Sequence, residues 1–168
     1  MHLLVVRHAI AEDRAEYARQ HRDDAKRPLT DAGRKKMKQV ALGLSRLVQE
    51  IDLLASSPLV RARQTADILA DAYGGIAIAT VPALSPGQPP SALAQWLESE
   101  AARDVIAIVG HEPSLSTAVS WLLAGGDRVF LELKKGGACL LDLPQRVGAA
   151  CATLAWLMAP RHLRALAD

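Results

Sequence analysis

Apolar positions along this chain come in two kinds of run, and their alternation carries most of the fold. Leu3 to Val6, Asp52 to Ser56, Ile76 to Val81 and Asp104 to Val109 are short and almost unbroken, the pattern of strands buried on both faces. Between them apolar residues recur at helical spacing. Met37, Val40, Ala41, Leu44, Leu47 and Val48 line one face, with Lys35, Lys36, Lys38 and Gln39 between them and Thr30 or Asp31 as the cap. A second helix is expected from Pro58, whose missing N–H costs nothing at a first helical position, to about Tyr73, ahead of Gly74-Gly75. A third carries Leu93, Trp96 and Leu97 after the turn-rich Ser85 to Pro90, and a fourth follows Gly110-His111-Glu112-Pro113 and runs through Leu122. Residues 9–28 have no period and read as a long loop with at most a helical turn.

The last third has another pattern. Ala138 to Leu143 and Ala150 to Leu157, separated by Pro144 to Gly148, predict two strands joined by a turn, and a short helix follows Pro160. Strands alternating with helices as far as residue 124 predict an α/β architecture on a mostly parallel sheet. Across 168 residues there is no repeat, low-complexity stretch or linker, so residues 1–168 are expected to form a single domain.

Composition changes little: 50% hydrophobic and 23% charged residues are ordinary for a globular protein. Twenty Lys and Arg against 18 Asp and Glu are interspersed, which argues against nucleic-acid binding. Apolar stretches such as Ala152 to Ala159 fall far short of the roughly 18 residues a membrane span needs, and Met1 to Val6 is too short for a secretory core, so no membrane association is expected and the location expected is cytoplasmic. Two cysteines, Cys139 and Cys151, fit neither a disulfide framework nor a metal motif; they read as buried thiols on neighbouring strands, within reach of a cross-strand contact.

Chemistry enters at the strand ends. Arg7-His8 follows the first strand, Ser56-Ser57 and then Arg61 follow the second, and His111 follows the one ending at Val109. Ligands of parallel α/β sheets bind beyond the carboxyl ends of the strands, so these residues are expected to meet on one edge. Arg61 falls in the first turn of a predicted helix, where the dipole disfavours a cation unless both are aimed at an anion. Two arginines, two histidines and a helix N-terminus make a pocket for a dianion, and guanidinium forks match phosphate oxygens.

No P-loop, G-x-G-x-x-G or Mg²⁺-holding carboxylate cluster is present, which speaks against kinase or NTPase chemistry. The histidines His2, His8, His21, His111 and His162 lack metal-site spacing, and two arginines would repel a metal cation, so no metal and no cofactor is expected. A histidine nucleophile is the economical reading.

Four motifs in order then carry a resemblance. Arg7-His8-Ala9 resembles the Arg-His-Gly signature of the histidine phosphatase superfamily, which includes the cofactor-dependent phosphoglycerate mutases. SSPLVRARQTA, Ser56 to Ala66, resembles its second motif, GHEP, Gly110 to Pro113, its second catalytic histidine, and RPLTDAG, Arg27 to Gly33, a further block. The set is most similar to the SixA-type phosphohistidine phosphatases and spans the chain from Met1 to Trp156…Arg161. It implies a three-layer phosphoglycerate mutase-like fold, with helices on both faces of the sheet. It implies His8 as the nucleophile that forms a phosphohistidine, with Arg7, Arg61 and His111 holding the phosphoryl oxygens and Ser57 adding a neutral contact. The partner implied is a phosphohistidine-bearing phosphotransfer protein or a small phosphorylated substrate, with phosphate-like anions fitting the pocket.

Two departures matter. Ala9 stands where glycine is usual, which is tolerable if its φ is negative. The superfamily's usual acidic glutamate has no counterpart in Pro82 to Leu93. General-acid catalysis is commonly worth ~10²–10⁴-fold, so its absence favours a phosphoramidate, whose leaving imidazole can already carry a proton. Glu12, Asp13, Asp23, Asp24 and Glu112 stand as other donors, more simply read as surface charge. Short loops, apart from 9–28, suggest a pocket open to a side chain on another protein. The competing readings are a phosphatase for a small metabolite and a non-catalytic phosphate- or phosphopeptide-binding module.

Overall fold

Strand β1 (His2–Arg7) explains the unbroken apolar run at its centre: Leu3, Leu4, Val5 and Val6 have no exposed surface in the computed structural model, which describes residues 1–20, 23–126 and 128–167. Leu3 and Val5 enter one core cluster, Leu4 and Val6 another on the opposite face. The other strands are β2 (Leu53–Ser56), β3 (Ile78–Thr80), β4 (Val105–Gly110), β5 (Ala138–Asp142) and β6 (Thr153–Met158). They form one sheet in the order β3-β2-β4-β1-β5-β6. Pairings among the first four strands are parallel, and β5 runs antiparallel to β1 and β6 on either side of it.

Helices cover both faces, as expected. On the Leu4–Val6 side lie α2 (Asp31–Leu47) through Met37, Val40 and Leu44, α3 (Val60–Ala72) through Ala62, Ala66 and Leu69, and α6 (Pro160–Ala165) through Leu163. On the Leu3–Val5 side lie α4 (Pro90–Ser99) through Leu93 and Leu97, and α5 (Ser114–Ala124) through Leu115, Val119 and Leu122. Thr30 caps α2, its hydroxyl accepting from the Gly33 N–H at 2.9 Å. Gly43 lets α2 and α6 touch: a Cβ there would overlap the Leu163 carbonyl. Among the described residues no helix is long and apolar enough to cross a membrane.

Three expectations are corrected. Helix α3 begins at Val60 with Leu59 as its cap, so Pro58 lies before the helix. Strand β6 begins at Thr153, which leaves Cys151 in the connecting turn, where its sulfur accepts from Gly148 N–H; Cys139 pairs across the ladder with Leu157. Residues 9–28 are more ordered than a loop, holding α1 (Arg14–Gln20) and a 3-10 turn (Asp24–Lys26), with an Ala11–Leu29 bridge closing the base.

Candidate active site

The parallel register brings three strand ends level. Arg7 is paired with Gly110, the His8 N–H donates to the Gly110 carbonyl at 3.0 Å, and the Ser57 N–H to the Val109 carbonyl at 3.0 Å. His8, Ser57 and His111 therefore leave the sheet side by side, and Arg61 faces them from the first turn of α3. The His8 and His111 rings lie 5.1 Å apart between centroids, tilted by 53°. His8, Ser57, Arg61 and His111 are all buried. The structure thus brings the expected site residues to one place.

His8 has its tautomer fixed. Its Nδ1 lies 2.7 Å from the Ala9 carbonyl, an acceptor only, so Nδ1 carries the proton and Nε2 keeps a lone pair. Burial lowers its pKa to about 4; the bond to Ala9 works the other way, and Arg61, Arg7 and Arg27 add to the lowering. The arginines the sequence pointed to are real contributors, but desolvation is the larger cause. Ala9 itself is not strained: among described non-glycine residues only Ala150 has positive φ. Its side chain packs into the α2–α3 core, and its N–H donates to Thr65 Oγ1 at 3.0 Å.

Each of these side chains is held by a neighbour. Arg7 Nη1 donates to the Leu133 carbonyl at 2.6 Å, and the same loop is tied down where Leu133 N–H donates to Glu112 Oε1 at 3.2 Å. Arg61 Nη1 donates to the Asp24 carbonyl at 3.0 Å. His111 Nε2 lies 2.8 Å from Ser57 Oγ, which also accepts from the Leu59 N–H at 3.3 Å. Ser57 thus orients His111 as well as shaping the chain into α3. Burial, then the charges of His8 and Arg61, push His111 down to about 3, so its ring is neutral before an anion binds.

Three buried nitrogens, Arg7 Nε, Arg61 Nε and His111 Nδ1, have no hydrogen-bond partner among the described residues. Leaving such a group unpaired costs about 1–3 kcal/mol, more when it is charged. Orphaned nitrogens on three neighbouring site residues fit an anion with several acceptor oxygens. They do not fit a cation, and among the described residues no group of three His, Cys, Asp or Glu is arranged to hold a metal. His21 lies outside the described residues.

The family model described as the histidine phosphatase superfamily (branch 1) matches residues 3–85 of this chain. An uncharacterised protein of Picosynechococcus sp. is 41% identical over 139 residues, covering 82% of each chain. The chain belongs to the histidine phosphatase superfamily. Its activity is accordingly that of a phosphatase, a hydrolase. The fold of this histidine phosphatase matches that of the protein histidine phosphatase SixA, solved in complex with tungstate, at a TM-score of 0.81 with 23% identity over 97% of this chain and 99% of that one. It also matches the alpha-ribazole phosphatase from Shigella flexneri, at a TM-score of 0.73 with 18% identity over 95% of this chain and 97% of that one. The three-layer, phosphoglycerate mutase-like architecture expected from the sequence is present.

The histidine phosphatase site also contains residues given no role in the sequence reading. Arg27 is buried and close enough to lower the pKa values of His8, Arg61 and His111. Its Nη1 donates to the Glu12 carbonyl at 2.8 Å. Thr65 bridges β1 to α3 by accepting from Ala9 N–H and donating to the Arg61 carbonyl at 2.7 Å. Of the five carboxylates weighed as donors, Asp13 accepts from the Glu16 N–H and Asp23 from the Ala25 N–H, so both cap local turns. Glu112 accepts from Ser116 Oγ at 2.6 Å as well as from Leu133, which makes it an anchor rather than surface charge. Glu12 is exposed, and Asp24 lies on Arg27 and Arg61.

Proposed function

We propose that this protein removes the phosphoryl group from phosphohistidine on another protein, through a covalent phosphohistidine at His8. The observation that carries the reading is the set of orphaned nitrogens on Arg7, Arg61 and His111 beside a neutral imidazole whose Nδ1 is already committed. A phosphoryl group seated there gains donors on its oxygens while its phosphorus faces the Nε2 lone pair. His8 Nε2 attacks phosphorus, the bond to the leaving group breaks, and Arg7, Arg61 and His111 hold the oxygens as charge spreads over them. Binding of the dianion supplies the negative charge that raises the His111 pKa, so the ring can then take a proton and donate. Water cleaves the phosphohistidine in a second step.

The leaving-group side supports a P–N rather than a P–O bond. Residues 82–93, which hold a 3-10 turn at Pro82–Leu84 and the start of α4, carry no carboxylate, and three of the five carboxylates considered as acids are committed to backbone N–H groups. Mixing the protein with a phosphodonor labelled in the phosphoryl group should trap an acid-labile, alkali-stable phosphoryl on His8. Hydrolysis surviving in His8→Ala would overturn the mechanism. A panel of phosphohistidine protein, phosphoramidate and phosphate esters should give its highest kcat/KM on the first; a small phosphorylated metabolite far ahead of it would overturn the substrate assignment.

A further inference from the structure

The segment between α1 and α2 carries one carboxylate into the arginine cluster. Asp24 Oδ1 accepts from Arg27 Nε at 2.8 Å, its Oδ2 lies 3.2 Å from Arg61 Nη1, and Arg14 Nε is 3.8 Å away. The Asp24 carbonyl accepts from the same Arg61 nitrogen, so backbone and side chain fix it together. The Asp24 side chain is 37% exposed where that of Arg61 is 6%, which sets the carboxylate on the solvent side of the cluster. Its field reaches His111 as well. Burial works to raise its pKa, but the bond to Arg27 and the charges of Arg61, Arg27 and Arg14 outweigh it and hold the carboxyl low. An ionised carboxylate has no proton to give to a leaving group. It can accept one hydrogen bond more.

We propose that Asp24 selects the leaving group: its carboxylate accepts a hydrogen bond from the ring N–H of a phosphorylated imidazole and so favours phosphohistidine over phosphate esters. The inference rests on the phosphohistidine reading above. In the transfer step His8 Nε2 forms a bond to phosphorus, and the P–N bond to the substrate ring breaks with its electron pair returning to that nitrogen. The proton stays on the ring's other nitrogen throughout, so the imidazole departs neutral without receiving a proton in flight. This requires the phosphorylated ring to be cationic at the start, and a carboxylate on its N–H keeps it so. An alkyl ester offers no N–H, and its departing oxygen finds no proton here. A missing acid and a carboxylate held ionised then express one preference.

Asp24 as a mere brace for Arg61 and Arg27 would affect all substrates alike, and this difference is the test. kcat and kcat/KM are each measured against pH for wild type, Asp24→Asn and Asp24→Glu, with a phosphohistidine-bearing protein and with p-nitrophenyl phosphate, whose phenolate leaves without protonation. Asp24→Asn is expected to lose on the order of tenfold or more on phosphohistidine. The alkaline limb of its kcat profile, which reports the bound ring, should move to lower pH, while the loss on p-nitrophenyl phosphate, which registers only the bracing of Arg61 and Arg27, should be about fivefold or more smaller than the loss on phosphohistidine. Asp24→Glu should recover the phosphohistidine activity. The groups facing Asp24 that shape such a profile are Arg14, Arg27, Arg61 and His111. Equal losses on both substrates, or an unmoved limb, overturn the inference and leave the phosphohistidine reading standing; a wild type inert toward phosphohistidine overturns that reading, and the inference with it. A second measurement needs no variant: with tungstate on the arginines, imidazole should bind wild type about fivefold or more tightly at pH 6, where it is largely protonated, than at pH 8. Tighter binding at pH 8 would overturn the proposal.

Discussion

At the scale of single residues the site is governed by what burial does to two imidazoles. His8 and His111 titrate near 6.5 when unfolded and at about 4 and about 3 in the fold. The unfolded chain therefore binds more protons below pH 6.5, and the native state loses stability as pH falls through 6.5, the loss levelling off only once the folded rings protonate below about 4 and 3. Between pH 7 and 5 each ring contributes a loss of roughly 2 kcal/mol, measurable by urea unfolding at the two pH values, and His111→Gln should remove its share. Unfolding free energies that rise toward pH 5 would contradict this. Arg61→Lys removes the planar fork but keeps the charge; kcat/KM should drop by about 10²-fold or more with the fold intact by circular dichroism. Arg7, His8, Ser57, Arg61 and His111 were legible in the sequence because each follows directly on an apolar run or opens a helix. The roles of Arg27, Thr65 and Asp24 were not, since they arise from contacts of Asp24 with Arg61, of Arg27 with Glu12 and of Thr65 with Ala9 that no local period encodes.

At the scale of elements the helices and strands were readable from periodicity, while their ends depended on tertiary contacts. Pro58 looks like a helical first position, yet the chain needs three further residues after β2 to place Ser57 on His111 before α3 starts. The turn before β6 likewise takes up Ala150 to Ala152, whose N–H groups at 150 and 152 donate to the Trp121 and Leu122 carbonyls of α5 instead of a strand neighbour. Helix α2 makes close backbone approaches at Gly33, to Ile10, and at Gly43: in Gly43→Ala the new methyl meets the Leu163 backbone, so α6 must move. Overpacking of this kind costs about 1–3 kcal/mol, and the urea midpoint should fall accordingly while kcat on any accepted substrate stays near wild type. An unchanged midpoint would mean that α6 yields freely.

At the scale of the whole molecule, one sheet edge collects groups from residues 7 to 133, and an anion binding there should tighten all of it. Tungstate is expected to raise Tm in wild type, and the rise should vanish in Arg61→Ala; a full shift in that variant would place the anion elsewhere. Hydrolysis should persist in excess EDTA, since no step proposed for His8 uses a metal.

Strand β1 lies between β4 and β5, paired with residues about a hundred and more positions further along, His2 with Val105 and with Asp142. Its backbone beyond the ladder is fastened from the same late stretch of chain, by Gly136 N–H donating to the Arg7 and His8 carbonyls. The strand that ends in the nucleophile is thus made early and completed late. While the ribosome adds the next hundred residues or so, Leu3 to Val6 have neither neighbour, and contacts of such long separation form slowly. An apolar run exposed for that interval is where misassembly would begin. Refolding should therefore be limited by closure of β1 between β4 and β5, so that Val5→Ala slows folding more than Leu163→Ala, whose helix α6 can dock on α2 after the sheet has closed.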